Sequence, residues 1–130
     1  MTEARGFRPV GIVLAIGAAY DLVFGVAILA FTRRLAALLG LRVPDDPVYL
    51  YLNGVFLLVL SGIYAAAARE PERYRLVAPI SAAGRTLGFV LFAWAWAEGR
   101  PAVFLALGAA DLAIAAATLF AWRRAALLSD

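Results

Sequence analysis

The sequence predicts an all-α integral membrane protein, a four-transmembrane-helix bundle with a short interfacial helix between spans 1 and 2. Three observations predict it. Of 130 residues, 65% are apolar and only 16% charged, with a mean hydropathy of +0.86, whereas soluble domains run roughly 45–50% apolar and about 25% charged. The apolar residues gather into four runs of about twenty, the length that crosses a hydrocarbon core of about 30 Å. The net charge is +3, and all Arg residues but Arg85 lie at the ends of those runs or between them, where a membrane protein keeps its basic side chains. This composition excludes a soluble enzyme, a disordered tail and a nucleic-acid-binding domain.

The first span is expected over 9–31, opened by Arg5 and Arg8 and closed by Arg33-Arg34. About 22 residues at a rise of 1.5 Å reach roughly 33 Å, enough to cross. A secretory signal peptide would have an apolar region of only about 7–15 residues, and Asp21 in mid-run suits it badly. The residues from Thr32 to Arg42 place Leu35, Leu38 and Leu39 at helical spacing, flanked by Arg33, Arg34 and Arg42. That is the pattern of a short helix lying in the headgroup region.

The second span is expected over 48–68, introduced by Pro44-Asp-Asp-Pro47, with Pro47 where a helix start tolerates proline. The third covers 76–97, with Pro79 in its first turn, where no kink is required. The fourth covers 101–122 and ends at Arg123-Arg124. Tyr49, Tyr51, Trp94, Trp96 and Trp122 fall near span ends, as interfacial aromatics should. Residues 1–130 then form a single transmembrane domain with short loops. Arg5, Arg8, Arg69, Arg73, Arg75, Arg123 and Arg124 fall on one side, and Arg33, Arg34, Arg42 and Arg100 on the other. This bias puts both termini in the cytoplasm, with the bundle in the cell (inner) membrane. The bias is modest, and dual topology is the alternative.

The missing residue types narrow the chemistry. There is no Cys and no His, Met1 is the only Met, and all 12 basic residues are Arg. Disulfides, thiol redox work, His or Cys zinc sites, haem ligation and Schiff-base chemistry are thereby excluded. No cofactor, metal site or catalytic residue is expected. Any reaction would have to run on carboxylates, Tyr, Ser or Arg.

Spans one and four echo each other. Asp21-Leu22, Arg33-Arg34, Ala36 and Leu38 recur 90 residues later as Asp111-Leu112, Arg123-Arg124, Ala126 and Leu128. Such repeats occur in membrane folds, although Ala, Leu and Arg are frequent enough here for coincidence. The firmer point is that each of these two helices carries an Asp in mid-span.

Asp21, Arg85 and Asp111 each lie near the middle of a span. A charge at a helix centre costs about 2.5–3.5 kcal/mol on insertion scales, so three facing lipid separately would cost on the order of 8–10 kcal/mol, comparable to a domain's whole stability. An ion pair at 4 Å is worth about 4 kcal/mol at an effective dielectric of 20, and the planar fork of Arg can bond two carboxylates at once. Spans one, three and four are therefore expected to converge on Arg85. Gly17, Asp21 and Gly25 share a face at which another helix can approach, and Gly84 and Gly88 form a small-xxx-small pair beside Arg85. Asn53, Leu57, Ser61 and Tyr64 make a polar stripe on the second span; with Tyr20, Ser81 and Thr118, the polar members complete the expected lining.

The run from Gly62 through Tyr64, Arg69-Glu-Pro71 and Arg73-Tyr-Arg75 leads into the Gly84-Arg85 span, followed by Gly99-Arg-Pro101 and the Asp111 span. In these motifs the chain resembles small bacterial four-helix membrane proteins of the DoxX-like kind. The resemblance covers most of the chain and implies a four-span bundle with a basic residue in the third span and an acid in the fourth. Arg85 and Asp111 occupy those places. DoxX itself is associated with a thiosulfate-oxidising quinone reductase, and no redox residue here supports carrying that activity over.

The leading expectation is a non-enzymatic accessory subunit or lipophilic-ligand-binding protein organised round the intramembrane Asp/Arg/Asp cluster. The cluster is either glue that sets the bundle's register or a ligand- or proton-binding site, since two carboxylates outnumber one guanidinium. The second reading is a proton-coupled transporter acting as a dimer. Exporters of the small multidrug resistance kind are close in length and use one acid in the first span, which Asp21 would imitate. A lipid-modifying enzyme using Asp21 and Asp111 is the third. The partners expected are membrane lipids, a lipophilic small molecule, and a second copy or larger membrane complex; nucleic acid is excluded.

Overall fold

The computed structural model describes residues 6–129; Arg5, placed at the head of the first span, lies outside the described residues. Five helices follow in order: α1 Arg8–Ala30, α2 Thr32–Leu39, α3 Val48–Arg69, α4 Val77–Ala97 and α5 Val103–Leu127. All but α2 are long and apolar enough to cross a membrane, and the chain is an integral membrane protein. Gly6 lies beside Leu128, so both ends of the described chain sit at one end of the bundle.

The helix boundaries have local causes. Pro9 occupies the first turn of α1, where its missing N–H would be unpaired in any case. The backbone turns at Phe31 (φ −130°), and the Thr32 hydroxyl donates back to the Ile28 carbonyl. Helix α2 then ends at Gly40, whose φ of +67° favours glycine. Leu35 and Leu39 turn half inward on α2, whereas Leu38, expected on the same face, points out at 83% exposure. Asp46 Oδ1 accepts from the Val48 N–H at the head of α3 (3.2 Å).

The fourth span differs most from expectation. Helix α5 starts at Val103 rather than 101 and runs through Arg123-Arg124 to Leu127. Pro101 stays outside the helix, while its carbonyl accepts from the Phe104 N–H at 3.0 Å. Arg is a good helix former and is favoured near a helix C-terminus, so the helix outlasts the apolar run that announced it.

Helix α1 packs chiefly on α3, α4 packs on α5, and α1 meets α5. Toward the chain ends the four helices share one core of Phe7, Val10, Leu14, Ala18, Tyr64, Ala67, Ala78, Ala121 and Ala125. Toward the other end, close approaches lie within each pair. A Cβ on Gly25 would press on Leu58 and the Gly54 carbonyl within α1–α3, and one on Gly108 would press on Phe89 and Phe92 within α4–α5. Arg85 is the last buried residue of α4.

Candidate functional site

Where the shared core gives way to the two pairs, the three intramembrane charges meet. Arg85 on α4 extends its fork to both acids. Nη2 donates to Asp21 Oδ2 on α1 at 2.9 Å and Nη1 donates to Asp111 Oδ1 on α5 at 2.8 Å. Nη2 also donates to the Gly17 carbonyl at 3.3 Å. The side chains of Arg85 and Asp21 are 7% and 4% exposed, that of Asp111 16%. Each of the three helices thus brings a charge that could not face lipid alone, and the guanidinium joins them.

Small residues make the approach possible. A Cβ on Gly17 would stand 3.1 Å from Arg85 Nη2, and one on Gly88 would stand 3.2 Å from Asp111 Oδ2. Gly88 thus keeps the role expected of it beside Arg85. Gly84 does not, since open space surrounds it. It stands one residue before Arg85, about 100° round the helix, and so points outward, whereas Gly88 at i+3 stays beside it.

Two aromatic rings flank the cation. Arg85 Cζ lies 5.6 Å from the Tyr20 ring centroid and 5.7 Å from that of Tyr64, within cation–π range. Tyr20 is half-buried and packs against Phe24 at 4.8 Å; Tyr64 is buried. Both were expected as polar lining, yet it is their ring faces that meet the charge. Arg85 Nε is buried without a hydrogen-bond partner among the described residues.

The other expected lining residues divide. Ser61 on α3 is buried and its hydroxyl donates to the Ala18 carbonyl of α1 at 2.8 Å, tying the two helices together. Ser81 is buried one turn before Arg85. Thr118 is buried too, but its hydroxyl donates to its own helix at Ile114 O (2.7 Å) and makes no contribution to the cluster. Asn53 is exposed, contrary to expectation. Steps of four residues drift by about 40° each against a 3.6-residue turn, so position 53 stands about 80° from position 61. Gly54 takes the inward place, against Ile28 and Leu29.

Sequence reasoning missed the backbone acceptors. The carbonyls of Gly17 and Ala18 take hydrogen bonds from two other helices. The signal was present in the small residues one turn before Asp21, which leave the helix backbone uncovered. Chemically the arrangement fixes helices and holds two carboxylates against one guanidinium; among the described residues no group of His, Cys, Asp and Glu is placed to hold a metal ion. Two cavities lie away from the cluster, one beside Trp94 and Arg100 and one beside Phe7 and Trp122.

Comparison with known proteins finds no matching family model, no matching curated protein and no matching solved structure.

Proposed function

We propose that this chain is a small non-enzymatic membrane bundle, an accessory subunit or lipophilic-ligand-binding protein, in which the Asp21–Arg85–Asp111 cluster locks the register of three helices. The observation that carries this reading is the double engagement of one buried guanidinium by acids from α1 and α5. A geometry that satisfies both acids specifies one packing of the helices, the best-attested use of buried polar groups. The chain also lacks His, Cys and Lys, the residues on which most general-base, thiol and Schiff-base chemistry depends. The test is thermal unfolding and gel filtration of Asp21→Asn and Arg85→Ala in detergent. Both variants should melt earlier and Arg85→Ala should lose its single sharp elution peak; two variants as stable as the parent would end the proposal.

The Arg distribution supports an inner-membrane location with both termini cytoplasmic. Arg8, Arg69, Arg73, Arg75, Arg123 and Arg124 lie at the end that holds the termini, and Arg33, Arg34, Arg42 and Arg100 at the other. Reporter fusions at either terminus should read as cytoplasmic. Kinship with DoxX-like proteins fits the placement of Arg85 and Asp111 and adds no chemistry to it.

A second reading, a dimeric proton-coupled transporter, draws on one observation. Two carboxylates face one guanidinium, and Asp111 is the more open of the two. Its test is tetraphenylphosphonium binding to purified protein with a pH indicator. Binding with proton release that disappears in Asp111→Asn favours transport, and binding without release counts against it.

A further inference from the structure

We infer that the α4–α5 turn forms a headgroup site for a zwitterionic phospholipid bearing a primary ammonium, independent of the charge cluster. A cavity of about 460 Å³ opens there, lined by Leu91, Phe92, Trp94, Glu98, Arg100 and Phe104, with Ala95 between them. Its walls are apolar and aromatic; Phe92 and Phe104 close one side with ring centroids 5.9 Å apart. Its rim carries one carboxylate and one guanidinium. Glu98 and Arg100 make no ion pair with each other or with any other described residue, so both charges are available to a ligand.

The backbone of the turn that carries those charges is fixed by hydrogen bonds. Glu98 N–H donates to the Trp94 carbonyl, Gly99 N–H to Trp96 and Arg100 N–H to Ala95, at 2.9–3.0 Å. Gly99 has a φ of +88°, a conformation open to glycine and strained for other residues. This is a capped helix end that sets an acid and a base on either side of one glycine at the depth where a spanning helix leaves the hydrocarbon core. Exposed Trp94 beside them marks the same interface.

The occupant follows from charge complementarity. An ammonium donates hydrogen bonds to the Glu98 carboxylate, a phosphate accepts them from the Arg100 fork, and an acyl chain lies along Leu91, Phe92 and Phe104. An anionic head offers Glu98 no cation. A quaternary ammonium offers it no N–H donor and is left with the face of Trp94. The site therefore ranks phosphatidylethanolamine above both phosphatidylglycerol and phosphatidylcholine of equal chain length.

The experiment is lipid titration of the delipidated full chain in detergent, read by native mass spectrometry with those three lipids. Phosphatidylethanolamine should be retained about two- to fivefold better than the others, the range that exposed charge pairs support. Glu98→Gln should reduce phosphatidylethanolamine to the level of phosphatidylglycerol, and Arg100→Gln should weaken all three. Arg75→Gln, at the opposite end of the bundle, should leave the ranking unchanged, and thermal melting of each variant checks that it is folded. Equal retention of the three lipids, or a ranking that survives Glu98→Gln in a folded protein, would overturn the proposal. A chain that dimerises through this face in the absence of lipid, with the dimer lost in Arg100→Gln, would overturn it as well.

Discussion

The two halves of the bundle are built on different principles. Toward the chain ends, four helices interlock over a core in which small residues predominate, with Ala18, Ala67, Ala78, Ala121 and Ala125 among its members. Toward the opposite end, the close approaches of Gly25 to α3 and of Gly108 to α4 lie within the α1–α3 and α4–α5 pairs, and no residue of α4 beyond Arg85 is buried. In a membrane, apolar side chains gain little by leaving lipid for one another, so helices associate where small residues allow backbones to approach and where polar groups need partners. The closed half meets the first condition. The charge cluster meets the second and stands at the boundary, holding α4 and α5 to α1 at the level where Ala-based packing ends.

The largest effect that would break this comparison is loss of the joint itself. Arg85→Leu leaves two buried carboxylates without their cation and should destabilise the protein by about 3–5 kcal/mol, seen as a drop in detergent melting temperature. Arg85→Lys should fall between that variant and the parent, because an ammonium keeps the charge without the fork. A Leu variant that melts with the parent would mean that the closed half alone sets the fold.

Next in size is the contrast between the halves. Leu14→Ala removes a fully buried side chain from the shared core and should cost about 1–2 kcal/mol, the cavity and lost-contact part of such a change. Leu87→Ala removes an outward-facing side chain of the same type and should change stability by no more than about 0.5 kcal/mol. Chemical denaturation of both variants in one detergent measures the difference, and equal losses would mean that the shared core adds nothing to stability beyond what a lipid-facing side chain adds.

The two acids sharpen the comparison further. Asp21→Asn, at the more buried carboxylate, should cost about 1–2 kcal/mol, and Asp111→Asn less. Each single change leaves one acid to balance Arg85, whereas the double variant leaves a buried cation with none. The double loss should therefore exceed the sum of the singles, a coupling that a double-mutant cycle reads directly. One further effect has the opposite sign. Gly84 has open space around it, so Gly84→Ala should stabilise α4 by about 0.5–1 kcal/mol.

Much of this was legible before any coordinates. The four spans, the break before Thr32 and the meeting of Asp21, Arg85 and Asp111 follow from the sequence because each rests on a cost that acts locally. An apolar run of this length must leave water, and a charge within it must find a partner. What the tertiary structure alone decided is phase and proximity. Gly54 rather than Asn53 faces inward, Gly88 rather than Gly84 approaches Asp111, and Tyr20 and Tyr64 present their rings to Arg85. Each residue turns a helix face by about 100°, so a shift of one position moves a side chain from core to lipid, and only the neighbouring helices determine which position is chosen.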